Sequence, residues 1–306
     1  MVTDRTAPVG VLLMAYGTPA APADVEAYYT HVRRGRPPTE EQLADLRRRY
    51  EAIGGTSPLL ARTREQAAGL QAALGDGYHV ELGMKHAPPF IEDGVAALVA
   101  AGMTRIVGLV LAPHYSALSV GEYATRAEAA AAGAGAALTM VRSWHLAPGY
   151  LDLLAGFVRA ELAGLSAEPV EVVFTAHSLP TRILALGDPY PDQLAETARA
   201  VAGRAGVGRW SVGWQSAGRT PEPWIGPDVL TVLPALVEAG AAGVVVCAAG
   251  FVSDHLEVLY DLDIEARAAA DRLGLAFTRT PSLNAQPEFC ATLAEVVRGV
   301  DVGRDA

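Results

Sequence analysis

The feature that most constrains this chain is a repeated pairing of a near-continuous apolar run with a longer helix-like stretch. "VGVLLMA" leads to a helix around residues 22 to 31, and "RIVGLVLA" leads to "VGEYATRAEAAAA". "VEVVFTA" leads to "PDQLAETARAVAGRA", and "AGVVVCAAG" leads to "DHLEVLYDLDIEARAAADRL". Runs of Val, Ile and Leu without polar alternation are strands buried on both faces, and that burial requires helices on both sides of a parallel sheet. Weaker strands are expected at "HVELGMK" and "WSVGWQS". The unit of apolar strand, turn and helix recurs on both sides of residue 145. The fold class is therefore α/β, with two similar doubly wound halves over 1–145 and 146–285. The last helix, within 286–306 and following Pro287, is expected to pack back on the first half.

In open parallel sheets, ligands sit beyond the carboxyl ends of the strands. Those positions hold Tyr16 in "MAYGTP", Lys85 and His86 in "MKHAPP", and His114 and Tyr115 in "APHYS". In the second half they hold His177 in "TAHSLP", then Asp254, His255 and Glu257 in "GFVSDHLE". Four of the seven histidines and the single lysine fall at such ends, which marks them as a functional set. Phosphate-cradling patterns, G-x-G-x-x-G after the first strand or G-x-x-x-x-G-K-[ST], are missing, so a nucleotide site lacks its usual support.

Charge narrows the ligand further. The net charge of -10 argues against nucleic acid. Yet arginines bunch at Arg33, Arg34 and Arg36 and again at Arg47, Arg48 and Arg49. Guanidinium forks match carboxylates bidentately, so such clusters in an acidic chain can receive an acidic small molecule. Half the chain (51%) is hydrophobic, but no apolar run reaches the roughly 20 residues of a membrane span. The N-terminal stretch has no charged leader and no cleavage-like site, and the two cysteines, Cys247 and Cys290, cannot build a disulfide framework. A cytoplasmic protein is expected.

After "GFVS", Glu257, Asp261 and Glu265 recur every four residues. On an α-helix they form one carboxylate stripe, and the helical wheel puts Leu256, Leu259, Tyr260 and Ile264 on the adjoining apolar face. The stripe reads either as a solvated face or as a path leading a divalent cation inward, with His177 as the imidazole at its end. One imidazole and one carboxylate are too few for a structural metal site and suit a transient metal, proton transfer or both.

Taken together, "LLMAYGTP", "YYTHVRRGRPP", "RYEAIGGTSPL", "LAPHYS", "TAHSLP", "GDPYPDQL", "GWQS" with "TPEPWIGPDV", and "GFVSDHLEVLYDLDIE" resemble the ferrochelatases. The likeness runs over nearly the whole chain and is strongest to the short, soluble coproporphyrin type of Gram-positive bacteria. It implies two Rossmann-like domains with a porphyrin cleft between them, and insertion of Fe2+ into coproporphyrin III in haem biosynthesis. By position, the resemblance makes His177 and Glu257 the catalytic, metal-receiving pair. Asp261 and Glu265 would extend the metal path, with room for Mg2+ or another divalent cation at this acidic ladder. Tyr16 would be the axial ligand to product iron, and Arg33, Arg49, Tyr50, Ser57 and Tyr123 would contact the macrocycle or its propionates. A monomer is expected, with coproporphyrin III and the next haem-pathway enzyme as partners and with neither nucleic acid nor a membrane span. Many relatives carry an iron-sulfur cluster on C-terminal cysteines, and two widely separated cysteines give no basis for one. In "SAGRT", Ala217 and Arg219 stand where an acidic and a small polar residue are expected.

Two other readings remain open at this stage. A cobalt or nickel chelatase acting on an early tetrapyrrole would favour a histidine-rich metal site, whereas this chain pairs one His with an acidic ladder. A non-enzymatic porphyrin or haem carrier could use Tyr16 but would leave Glu257, Asp261 and Glu265 idle.

Overall fold

The computed structural model of the protein describes residues 8–302. The first seven residues of the N-terminal stretch and the last four of the helix expected within 286–306 lie outside the described residues. The chain divides into two compact units. Unit 1 takes the residues up to Leu111, Ser119–Trp144 and the chain from Asn284 on; unit 2 takes Ala112–Leu118 and His145–Leu283.

Unit 1 contains strands β1 (Val9–Ala15), β2 (Tyr78–Met84), β3 (Arg105–Val110) and β4 (Ala137–Val141). All pair in parallel, in the order β2-β1-β3-β4. Helices α1 (Val25–Val32), α2 (Glu40–Ala52) and α3 (Leu59–Leu74) connect β1 to β2, and α4 (Ile91–Ala100) connects β2 to β3. Helix α5 (Val120–Gly133) precedes β4. All seven residues of β1 are buried, as a strand covered on both faces must be, and each buried Val or Leu side chain is worth about 1.5–3 kcal/mol. At the start of α2, the Thr39 hydroxyl accepts from the Gln42 N–H while the Gln42 side chain accepts from the Thr39 N–H. This reciprocal cap fixes the helix that carries Arg49.

Unit 2 repeats the plan. Helix α6 (Pro148–Gly164) leads to β5 (Val170–His177), followed by the short α7 (Arg182–Ala185), α8 (Tyr190–Ala205) and β6 (Trp210–Gln215). Helix α9 (Val229–Glu238) leads to β7 (Gly243–Cys247), and α10 (Arg267–Leu273) to β8 (Ala276–Arg279). The order is β6-β5-β7-β8, again parallel throughout. Val173, Val244, Val246, Leu233, Leu262 and Phe277 belong to its core. The last helix, α11 (Pro287–Val302), belongs to unit 1, where Arg298 donates to the Ala73 carbonyl of α3 at 2.7 Å.

In each unit the chain leaves the first strand for a neighbour on one side and then returns to pair on the other. The first and third strands of each unit thus flank a topological switch point, where a crevice opens beyond the sheet's carboxyl edge. That places the segments after β5 and β7 side by side. No helix among the described residues is long and apolar enough to cross a membrane.

The carboxylate ladder departs from the α-helix expected for it. Val258–Ala266 is a π-helical segment, in which hydrogen bonds run i→i+5 and a turn takes more than four residues. Residues four apart therefore fall nearly in line. The buried line accordingly runs in steps of four through Val258, Leu262, Ala266 and Ala270, with Asp261 beside it. The expectation of an apolar face including Ile264 is corrected: Ile264 is 37% exposed, because the wider turn rotates it outward. Leu256, Leu259 and Tyr260 are half-buried.

Candidate functional site

In unit 2 the site begins with β5. Thr175 and Ala176 are fully buried, and His177, the last residue of the strand, emerges half-buried. Gly250 follows β7 and lies so close to β5 that a Cβ there would stand 2.4 Å from that of Ala176; only glycine permits this approach. The His177 carbonyl accepts the Tyr190 hydroxyl at 2.9 Å. Its Nδ1 lies 2.5 Å from the Ser178 carbonyl. A carbonyl can only accept, so Nδ1 carries a proton and Nε2 faces Glu257, 3.4 Å from Oε1. The other carboxylate oxygen of Glu257 lies 3.5 Å from Nε2 of His255, whose Nδ1 donates to the Ser253 carbonyl at 3.0 Å. Gln215, buried at the end of β6, donates weakly to the Glu257 carbonyl at 3.5 Å. The Trp224 ring lies beside His177, with centroids 6.4 Å apart.

This geometry sets the charges. Burial opposes a proton on His177, but the Glu257 carboxylate, the Ser178 carbonyl and Asp261 outweigh it and raise the imidazole to about 9. Burial likewise opposes ionisation of Glu257, and His177 and His255 overcome it to hold the carboxyl well below its usual range. The resting pair is an imidazolium beside a carboxylate. Asp261, 6% exposed, accepts the Ser216 hydroxyl. Glu265 is half-buried further along the segment. Among the described residues, no group of three or more His, Cys, Asp or Glu side chains converges as a metal cage.

In unit 1, Tyr16 follows β1 directly; the residue is 43% exposed, and its ring packs on that of His86 with centroids 4.6 Å apart. The turn at Gly17 has φ +90°, which favours glycine. His86 donates its backbone N–H to the Tyr16 carbonyl at 2.9 Å, and the Nδ1 atoms of His86 and His31 are 3.0 Å apart. Burial and then the neighbouring Lys85, His31, Arg126 and Arg34 lower His86 to about 3, so it is neutral. Lys85 pairs with Glu122 at 2.6 Å and stands 5.1 Å over the Tyr123 ring. Tyr123 is buried and its phenol is raised well above the ordinary range by that burial. Tyr50 is also buried, with its hydroxyl 3.4 Å from that of Thr18. Ser57 accepts the Leu59 N–H at 3.3 Å. Arg33 caps α1, its guanidinium 5.6 Å over the Tyr29 ring. Arg49, in the last turn of α2, lies 3.4 Å from Asp45.

The sequence-based set thus falls into two groups. His177, Glu257 and Asp261 come together in unit 2, and Tyr16 joins His86, His31, Lys85 and Tyr123 in unit 1. The sequence marks His255 only by its strand-end position, and the structure makes it the second imidazole on Glu257. Its signal was the spacing in "DHLE", which puts both side chains at the start of one turn.

Comparison with known proteins decides the family. The ferrochelatase family model matches residues 8–300. The chain belongs to the ferrochelatase family. The coproporphyrin III ferrochelatase of Anoxybacillus flavithermus (strain DSM 21510 / WK1) is 49% identical over 299 residues, covering 94% of this chain and 95% of that protein. That of Bacillus subtilis (strain 168) is 46% identical, covering 94% and 96%. Among solved structures, SirB from Bacillus subtilis with Fe3+ aligns with a TM-score of 0.58 at 14% identity, over 96% of each chain. CbiX, described as the terminal enzyme of sirohaem biosynthesis in denitrifying bacteria, aligns at 0.53 and 16%, over 95% of this chain and 98% of that one. At such identities these two speak for the ferrochelatase-like fold alone.

Proposed function

We propose that this protein inserts Fe2+ into coproporphyrin III to give iron coproporphyrin III. The observation that carries the reading is the His177–Glu257 pair, with Nδ1 pinned by a carbonyl and Nε2 turned to the carboxylate. Family membership sets aside the cobalt or nickel chelatase and the carrier.

Insertion must take two protons from the pyrroles and deliver one divalent ion. The carboxylate of Glu257 attracts the ion. As the ion arrives it cancels the charge that raises His177, so the Nε2 proton passes to solvent water and the nitrogen lone pair faces the metal. Once the ion passes into the ring, the carboxylate is bare again and the imidazole is once more a strong base, able to take a pyrrole proton. The resting imidazolium is thereby regenerated. His255, on the other oxygen of Glu257, takes the second pyrrole proton and passes it to solvent. Asp261 and Glu265 extend the approach path and provide carboxylates for Mg2+ or another divalent cation. In unit 1, Arg33 and Arg49 hold propionates, Tyr50, Ser57 and Tyr123 line the ring site, and Tyr16 ligates product iron. Binding energy from the propionates is available to distort the ring.

Coproporphyrin III offers four propionates and protoporphyrin IX two, and each charge-assisted bond adds roughly 1.5–3 kcal/mol. Anaerobic steady-state assays with ferrous iron should therefore show a clear preference for coproporphyrin III. Equal specificity constants would overturn the substrate assignment.

A further inference from the structure

A π-helical segment is an unusual mount for a functional carboxylate. Such turns are rare and persist mostly as short pieces at functional sites. Here the π form runs for nine residues, so the surrounding structure must hold it.

The hold comes from the end of β8. Arg279 closes that strand and turns its guanidinium onto the segment. Its Nε and Nη2 donate to the two oxygens of Asp263, each at 2.7 Å. The same Nη2 lies 3.5 Å from Oδ1 of Asp254, which also accepts the Ser282 hydroxyl at 2.8 Å. The remaining Nη1 donates to the Thr280 carbonyl at 3.0 Å, and the Arg279 side chain is 13% exposed. Asp254 and Asp263 bracket the stretch that carries His255, Glu257 and Asp261. One planar fork thus ties both ends of that stretch to the sheet, a geometry that a single ammonium cannot span.

We propose that Arg279 is a positioning residue for metal insertion, pinning Asp254 and Asp263 so that Glu257 stays aimed at His177. The inference rests on the assignment of that pair to the incoming metal. Groups that orient metal ligands from behind typically matter 10- to 100-fold in metal affinity or activity.

The test is steady-state insertion with iron and coproporphyrin III varied separately, well below each variant's melting temperature. Arg279→Lys and Asp263→Asn should each raise KM for ferrous iron by roughly 10- to 100-fold and leave KM for the porphyrin unchanged. The double variant should be no worse than the more affected single, because the Arg279–Asp263 contact that Asp263→Asn weakens is already broken in Arg279→Lys. Unchanged KM for iron in a folded variant, or equal rises for iron and porphyrin, would overturn the proposal. Should Arg279→Lys fail to fold, Asp263→Asn decides, since that carboxylate is 32% exposed on the surface of the segment. Glu257→Gln, run alongside, separates the two levels. If it inserts iron normally, the metal assignment falls and the positioning role with it. If it is inactive while Arg279→Lys and Asp263→Asn keep their KM for iron, only the positioning role falls.

Discussion

Replacing Glu257 by Gln removes one charge and almost no volume, so its effect on His177 reads the electrostatics of the pair directly. In the intact protein the imidazole is raised from 6.5 to about 9, against the opposing effect of burial and chiefly by Glu257. Because the folded value lies above the unfolded one, the imidazole's contribution to stability is full below pH 6.5 while Glu257 stays ionised, and is lost as pH rises through about 9. At about 1.36 kcal/mol per pH unit the gap sets an upper bound of about 3 kcal/mol. Water reaching two side chains that are each 34% exposed screens this to about 1–2 kcal/mol. In Glu257→Gln, burial should prevail and His177 should titrate near or below 6.5. Imidazole chemical shifts followed by NMR from neutral to alkaline pH give both midpoints, and melting temperatures over the same range give the stability term. The metal-free protein should also bind divalent cations more tightly as pH rises towards 9, since each ion displaces the Nε2 proton, and the variant should lose that slope. A wild-type His177 titrating at its ordinary value, or an unchanged midpoint in Glu257→Gln, would refute the reasoning.

Three further outcomes are expected. His177→Ala should abolish metal insertion while porphyrin binding, followed by fluorescence quenching, persists; near-normal turnover would remove His177 from the mechanism. Tyr16→Phe removes only an exposed phenol oxygen, so it should keep the fold and still insert iron, yet shift the ferric product's absorption and loosen product binding. An unchanged product spectrum would show that Tyr16 does not ligate the iron. Gly250→Ala drives a methyl into Ala176 and should cost about 1–3 kcal/mol by overpacking; thermal melts check the cost, and a variant as stable as the parent would show that β5 and the turn after β7 can separate.

What was legible in the sequence was legible for physical reasons. β1, β5 and β7 declare themselves because strands covered on both faces carry unbroken apolar runs, and their ends then point to Tyr16, His177 and Glu257. The edge strands β4 and β8 have only five and four residues, and β8 is half polar, so neither stands out by pattern. The π form of Val258–Ala266 was hidden because a spacing of four fits an α-helix almost as well, and the choice rests on contacts such as Arg279–Asp263, remote in sequence. The proton on His177 was hidden likewise. It depends on a carboxylate eighty positions away that arrives only when β5 and β7 pair.

The two sheets share one strand order, and a bookkeeper of addresses would note that Tyr16 and His177 hold the same one, at the end of the first strand of each unit. A scaffold that offers one address twice lets each copy change without disturbing its twin. Under the proposed roles, trading the phenol in one and keeping the imidazole in the other would adjust grip on the finished iron compound separately from delivery of the ion. On that reading, an engineer wishing to retune this protein for another metal or another ring would turn two dials, one at the close of each repeat.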